Sequence, residues 1–410
     1  MTGNLRIDGD RLWASLMETA QFGATPKGGL NRQALSAEDV AVRRWFIAAA
    51  ETAGCTVRID AIGNIFARRP GSDPELAPIA VGSHLDTQPT GGRFDGILGV
   101  LAGLELVRTL NDAGHVTRHP IEIIDWTNEE GSRFAPAMVA AGVFGGVFDL
   151  DYALARTDKA GITLAEALAT SGFAGPDPIG HPLAAHYELH IEQGPVLEAS
   201  GSEIGVVVGV QGIRWFDVTL SGLACHAGTM PMAMRRDTLN AAARLAVAVD
   251  VVGRSEPGVS LSTIGIFEAW PGSRNTVPET VRMSVDLRHP RAAGLDRLEA
   301  QFRAEAATIA AETGVEIAIT PVWSSSPVDF APACIVAVRS AVEMLGYGHE
   351  DIVSGAGHDS VYTARVAPTA MIFVPCEDGI SHNEAENITR AQAMAGANVL
   401  LHAVLAHDAA

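Results

Sequence analysis

Lysine is almost missing from this chain. Lys27 and Lys159 are the only two in 410 residues, so arginine carries nearly all the positive charge. The 29 Lys plus Arg face 48 Asp plus Glu, a formal net charge of −19. That balance excludes the broad positive field that a nucleic-acid or anionic-membrane surface needs, while leaving room for a small basic pocket that takes an anionic substrate. Cysteine is scarce too: Cys55, Cys225, Cys334 and Cys376 lie far apart and form no CxxC. A zinc ribbon and a disulfide scaffold are thereby disfavoured, and reduced thiols in a cytoplasmic protein are expected. No apolar run reaches the length of a membrane span; Gly96–Val107 comes nearest and is interrupted by Glu105. The opening MTGNLRIDGDRLW has no basic segment followed by an apolar one, so no signal peptide is expected. Walker A, HExxH and GxSxG motifs are absent, which removes the usual support for an NTPase, a zincin or an α/β-hydrolase.

What is present suits a large core: 47% of residues are hydrophobic and 19% charged. Length alone allows roughly two to three domains. Helical spacing over Asp39–Ala53, stopped by Gly54, is followed by strand-like runs at Val57–Ile59, Asn64–Arg68 and Pro78–Gly82. An apolar helix over Gly96–Leu110 and a strand at Ile121–Trp126 continue the alternation, which favours an α/β core with a largely parallel sheet. From Ile213 the order changes to a strand (Arg214–Leu220), a helix (Asp237–Val252), strands near Ser260–Phe267 and Thr280–Leu287, a helix (Leu295–Thr313) and a strand (Val315–Val322). That β-α-β-β-α-β order is ferredoxin-like. The first pattern then resumes with a helix at Ala331–Leu345, a strand at Thr369–Val374 and a closing helix at Arg390–Ala406. The expected fold is α/β: a main domain with a largely parallel mixed sheet flanked by helices, interrupted by a ferredoxin-like α+β insert. Its expected boundaries are 1–212 with 330–410 for the main domain and 213–329 for the insert.

Chemistry-bearing residues collect after the main-domain strands. Ser83-His84-Leu85-Asp86 and Gly91-Gly92-Arg93-Phe94-Asp95-Gly96 follow one strand, and Glu129-Glu130-Gly131 another. His190-Ile-Glu192-Gln193-Gly194 follows a third, and Gly379-Ile-Ser-His382-Asn383 a fourth. Ligands of an open α/β sheet gather at the carboxyl ends of its strands. Singly, each is an ordinary hydrogen-bonded histidine, turn or helix cap; together at four strand ends they point to a site. Three histidines with an aspartate and a glutamate suit a borderline-soft divalent ion such as Zn²⁺. Five ligands exceed what one catalytic zinc takes, and fit two ions sharing a carboxylate. Asp86, two residues from His84, is placed to accept that imidazole's second N–H and fix its tautomer. Glu129 is placed to shuttle a proton rather than bind metal.

The motifs GSHLDTQPTGGRFDG, TNEEGSRF, ELHIEQGP, CHAGTMP, RNTVPE, SGAGHDS and ISHNEAE resemble the dinuclear-metal, M20-type peptidase-fold amidohydrolases. Within them they are similar to the N-carbamoyl-amino-acid hydrolase, β-ureidopropionase and allantoate amidohydrolase branch, over roughly Gly23 to Ala406. The resemblance implies that His84, Asp95 and His190 hold one ion and Asp95, Glu130 and His382 the other, with Asp95 bridging and Glu129 as general base. His190 stands where peptidase relatives usually carry a carboxylate, which favours the carbamoylase branch. By the same resemblance Arg288 and Asn275 grip a substrate carboxylate, as a planar guanidinium suits. Gln193, helped by backbone at Gly357, meets the carbamoyl end, and His226 of a partner subunit stabilises the oxyanion. A homodimer joined through the insert follows. Met230 departs from the family's commoner Thr, beside the His226 loop; His358 and Asp359 receive no role.

The implied reaction is hydrolysis of the ureido C–N bond of an N-carbamoyl-L-amino acid or a β-ureidopropionate-like substrate, giving amino acid, ammonia and CO₂. Two divalent ions per subunit are implied, Zn²⁺ first, with Mn²⁺, Co²⁺ or Ni²⁺ also suited to these ligands. Alternatives are an allantoate amidohydrolase, an aminoacylase or dipeptidase on the same fold, and a non-catalytic binding protein. A Cys-Glu-Lys carbamoylase is disfavoured, because neither lysine lies near a cysteine in sequence.

Overall fold

Four strands are buried along their entire length: Ile79–His84, Ile121–Trp126, Ala185–Ile191 and Thr369–Val374. Such runs do not alternate because both faces of a central parallel sheet are covered. They lie side by side and parallel, in the order 121–126, 79–84, 185–191, 369–374. Antiparallel strands flank them: Ile65–Arg69 and then Thr56–Ile59 on one side, Ile204–Val210 on the other. The sheet belongs to one of two compact units in the computed structural model, which describes residues 3–410; that unit comprises residues 3–208 and 329–410.

Alternate side chains enter opposite layers. Ile79, Val81, Ile121 and Ile123 join the large core under the helices, while Ala80, Ile124 and Trp126 join a smaller one on the other face. The helix Ile97–Asp112 sits directly on the sheet centre. A Cβ on Gly103 would lie 2.9 Å from Ile123 and Val81, and one on Gly99 2.5 Å from the Leu189 carbonyl. These glycines are what let the helix approach. Its N-terminus is thereby brought to the strand ends, where Asp95 lies just before the capping Gly96.

The other unit, residues 209–328, has an antiparallel sheet in the order Phe267–Trp270, Thr280–His289, Gly212–Ser221, Glu316–Ser325, with Leu261–Thr263 also on Thr280–His289. Helices Thr238–Gly253 and Ala292–Thr313 cover one face, burying Phe216, Val218, Leu220, Val281, Met283, Val285 and Leu287. The strand expected near Ser260–Phe267 is in fact two pieces. The Ser284 hydroxyl accepts the N–H groups of Gly265 and Ile266 at 3.2 and 3.0 Å, interrupting the ladder there. Among the described residues no helix is long and apolar enough to cross a membrane.

One ionic cluster ties the first unit's layers together. Arg43, on helix Ala37–Thr52, is wholly buried; its Nε lies 2.7 Å from Asp39 and its Nη1 3.2 Å from Asp125 on the central sheet. Nη1 also donates to the Gly63 carbonyl and the Thr127 hydroxyl. Removing the cation strands two buried carboxylates, so Arg43→Ala should lower unfolding stability by roughly 3–5 kcal/mol, read as a lower urea midpoint. A change under 1 kcal/mol, on the order of an exposed ion pair, would show that the cluster does not tie the layers.

Candidate active site

Asp95 is the centre of the site. It is 4% exposed, and its two oxygens face different partners. Oδ1 lies 3.0 Å from His190 Nε2 and 3.7 Å from His84 Nε2; Oδ2 lies 3.6 Å from His382 Nε2. Glu130 Oε2 is 3.5 Å from the same His382 nitrogen. Two groups of potential ligands result, His84–Asp95–His190 and Asp95–Glu130–His382, each with its donor atoms within 4.8 Å of one another. The strands deliver them: His84 ends one, His190 lies near the end of another, Glu130 follows the third, and His382 sits in the loop after the fourth.

The buried imidazoles are oriented by backbone. His84 Nδ1 meets the Asp86 carbonyl at 2.9 Å and His190 Nδ1 the Ile191 carbonyl at 2.8 Å, which leaves Nε2 of each facing Asp95. This corrects the expectation for Asp86. Its carboxylate is 3.9 Å from His84 Nδ1 and instead accepts the N–H groups of Glu129 and Glu130, at 3.1 and 3.3 Å. The turn carrying both glutamates presents two adjacent amides, so the carboxylate pairs there while its own backbone carbonyl takes the imidazole.

The electrostatics mark the site as short of positive charge. Burial pushes the Asp86 carboxyl up to about 8, with Asp39 adding to the shift. Glu129 is raised well above the usual range by burial, then by Asp359 and Glu130; Glu130 is raised by burial and by Asp95. Burial opposes ionisation of Asp95 as well, but the hydrogen bond and charge of His190, with His84 and His382, hold it below the usual carboxylate range. Burial lowers His84 to about 4. Crowded buried carboxylates facing imidazole nitrogens are what a divalent cation neutralises, in place of the proton that His190 shares with Asp95, so the donor set fits metal ions.

His382 differs from its neighbours. Its side chain is 52% exposed and its backbone has φ 53°, as Gln193 has φ 58° and Asn128, just before Glu129, has φ 59°. Left-handed backbone at non-glycine residues is strained and recurs at functional sites. Gln193, expected to meet substrate, here donates to Asp95 Oδ2 at 2.9 Å and lies 3.4 Å from His382 Nε2. Gly357 packs on Met138, where a Cβ would come within 2.9 Å; the Met138 N–H donates to the Glu129 carbonyl. His358 stacks edge-on against His190 at 4.5 Å and bonds the Ser354 hydroxyl. Asp359 is fully buried, with no hydrogen-bond partner for its carboxylate among the described residues.

Two residues outside the expected set also reach the centre. Gln88 gives its backbone N–H and its amide to Glu130, at 2.9 and 2.6 Å. Glu386 accepts the N–H groups of Phe94 and Asp95, both at 3.1 Å. The sequence offers one faint signal for Glu386, its place four residues after His382 in ISHNEAE.

The remaining expected residues belong to the unit of residues 209–328. His226 lies in a two-stranded ribbon, where it pairs with Thr276, and Asn275 immediately precedes the other strand, its carbonyl accepting the Ala227 N–H. His226 Nδ1 accepts the Gly228 N–H at 3.0 Å. Arg288, on strand Thr280–His289, engages Asp286 through Nε and Nη2, the latter at 2.9 Å.

Histidine and carboxylate ligands at the ends of parallel strands, sharing one aspartate, define a candidate two-ion hydrolytic centre. Residues 80–406 match peptidase family M20/M25/M40, and the chain belongs to that family. It is 49% identical to the N-carbamoyl-L-amino-acid amidohydrolase of Rhizobium meliloti, over 98% of this chain and 97% of that one. With the N-carbamoyl-L-amino acid amidohydrolase of Geobacillus stearothermophilus it shares 39%, over 97% and 98%. A solved amidase of the hydantoinase/carbamoylase family from Burkholderia multivorans superimposes with a TM-score of 0.96 at 53% identity, covering 99% of each chain.

Because the Asp86 carboxylate braces both glutamates, Asp86→Ala should loosen them together. Turnover is expected to fall by roughly 10–100-fold with weakened metal retention, measured by steady-state kinetics and metal analysis. Wild-type values for both would show that the brace is dispensable.

Proposed function

We propose that the protein hydrolyses the ureido C–N bond of an N-carbamoyl-L-amino acid, releasing the amino acid, ammonia and CO₂. The observation that carries the reading is Asp95, whose two oxygens face separate histidine-containing ligand sets. The names of the Rhizobium and Geobacillus relatives supply the substrate class. Bound at these two positions, divalent ions supply Lewis acidity and acidify an attacking water. Zn²⁺ suits the donors best, and Mn²⁺, Co²⁺ and Ni²⁺ fit them too.

The protein's own groups do the rest. Glu129 Oε2 lies 3.6 Å from His84 Nε2, beside both ligand sets without completing either. It takes the proton of the attacking water and returns it to the leaving nitrogen. Gln193 faces the carbamoyl end from the same centre. Arg288 and Asn275 bind the substrate carboxylate, the guanidinium pairing bidentately. His226, supplied by a second copy, donates to the developing oxyanion. The dimer joins through residues 209–328, where helix Thr238–Gly253 leaves Leu239, Val247 and Val251 exposed. Four unpaired thiols suit a reducing, cytoplasmic setting.

Glu129→Gln should retain the wild-type metal content while kcat falls by roughly 10²–10⁴-fold; substantial remaining turnover would remove Glu129 from the role of base. Chelation should abolish activity, and adding back Zn²⁺, Mn²⁺, Co²⁺ or Ni²⁺ should restore it and rank the ions. With metal restored, rates on several N-carbamoyl-L-amino acids should exceed those on N-carbamoyl-β-alanine and allantoate. Faster turnover of allantoate would reassign the substrate.

A further inference from the structure

We propose that Glu386 is a positioning residue that locks the backbone of Asp95 to the Ser381–His382 turn, and so sets the affinity of the ion position formed by Asp95, Glu130 and His382. The inference rests on the two-ion reading above. Glu386 is 1% exposed, and both its oxygens are spoken for. Oε1 accepts the N–H groups of Phe94 and Asp95; Oε2 accepts the Ser381 hydroxyl at 3.0 Å. The Ser381 oxygen is in turn 3.2 Å from Asp95 Oδ2, the oxygen that faces His382. One side chain thus fixes the bridging aspartate through its backbone and, through a serine, the turn that carries the other ligand.

His382 needs this more than the other ligands do. His84 and His190 are buried and pinned by neighbouring carbonyls, whereas His382 is half exposed on strained backbone. Packing does not hold it. The loop closes on itself through Glu386, whose own N–H donates to the Asn383 carbonyl. Room for the carboxylate is reserved by Gly92, where a Cβ would lie 2.0 Å from Glu386 Oε1. Its loss would leave two buried amide donors unpaired beside the bridging ligand, and free the turn as well.

The test is competition of the purified full-length protein with a chromophoric chelator, using Zn²⁺ and Co²⁺, together with the visible spectrum of the Co²⁺ form. Two ions bound by the wild type support the two-ion reading; fewer would overturn that reading directly, whatever the variants do. Glu386→Ala should keep one ion near wild-type affinity and bind the second roughly 10–100-fold more weakly, with an altered Co²⁺ spectrum. Glu386→Gln should restore the second ion, because an amide still accepts both N–H groups and can donate to Ser381. Ser381→Ala cuts the link to the turn, together with the serine's contacts to Asp95 and Gln193, while sparing the bonds from Glu386 to the Phe94 and Asp95 amides; it should also weaken the second ion if Glu386→Ala fails to fold. Wild-type affinities and spectrum in the folded Ala variants, or a Gln variant as weak as Ala, would overturn the proposal.

Discussion

Repulsion among buried carboxylates is the constraint on which this structure turns. Asp86, Asp95, Glu129 and Glu130 are brought within one small volume at the ends of parallel strands, and burial raises three of them. Such a group does not assemble for its own sake. It persists because rigid elements force it: strands buried on both faces, a helix seated on two glycines, and the Arg43 cluster that ties the helix layer to the sheet. The fold stores unfavourable charge at one point, and that charge defines what the point binds.

The side chains around the centre divide the labour of holding it. Backbone carbonyls set the two buried imidazoles, Asp86 and Gln88 hold the glutamate turn, and Glu386 with Ser381 holds the aspartate to the exposed histidine. Each brace acts on a different strand end, so the geometry depends on several loops agreeing rather than on any one being rigid. This is the usual form of support around ligands that must be aimed to a fraction of an ångström.

Much of this was legible in the sequence. The parallel core followed from short unbroken apolar runs, and the cluster of candidate ligands from histidines and carboxylates placed just after them. Strands Ile121–Trp126 and Thr369–Val374 have the expected limits. Other features were hidden for physical reasons. The apolar run Ile204–Val210 carries no turn signal that tells an antiparallel neighbour from a loop segment. Asp86 was misread because spacing shows that two residues are near, and not whether backbone or side chain makes the contact. Gln88 and Glu386 act across 42 and 291 residues of chain, which no local pattern encodes. Arg43 reads as one more residue on a helix, until the sheet behind it supplies Asp125.

The pairing of Arg288 with Asp286 has a consequence for selectivity. The guanidinium is not waiting for an anion; a neighbouring carboxylate two residues away on the same strand already occupies it. On the proposed reading that Arg288 takes the substrate carboxylate, that group binds by exchange, and its gain is the difference between two similar pairings rather than the full value of one. Stray anions are held off by an internal placeholder. On that reading a ligand must bring further contacts to displace Asp286, so the residue proposed to recognise charge is at the same time one that rejects charge alone.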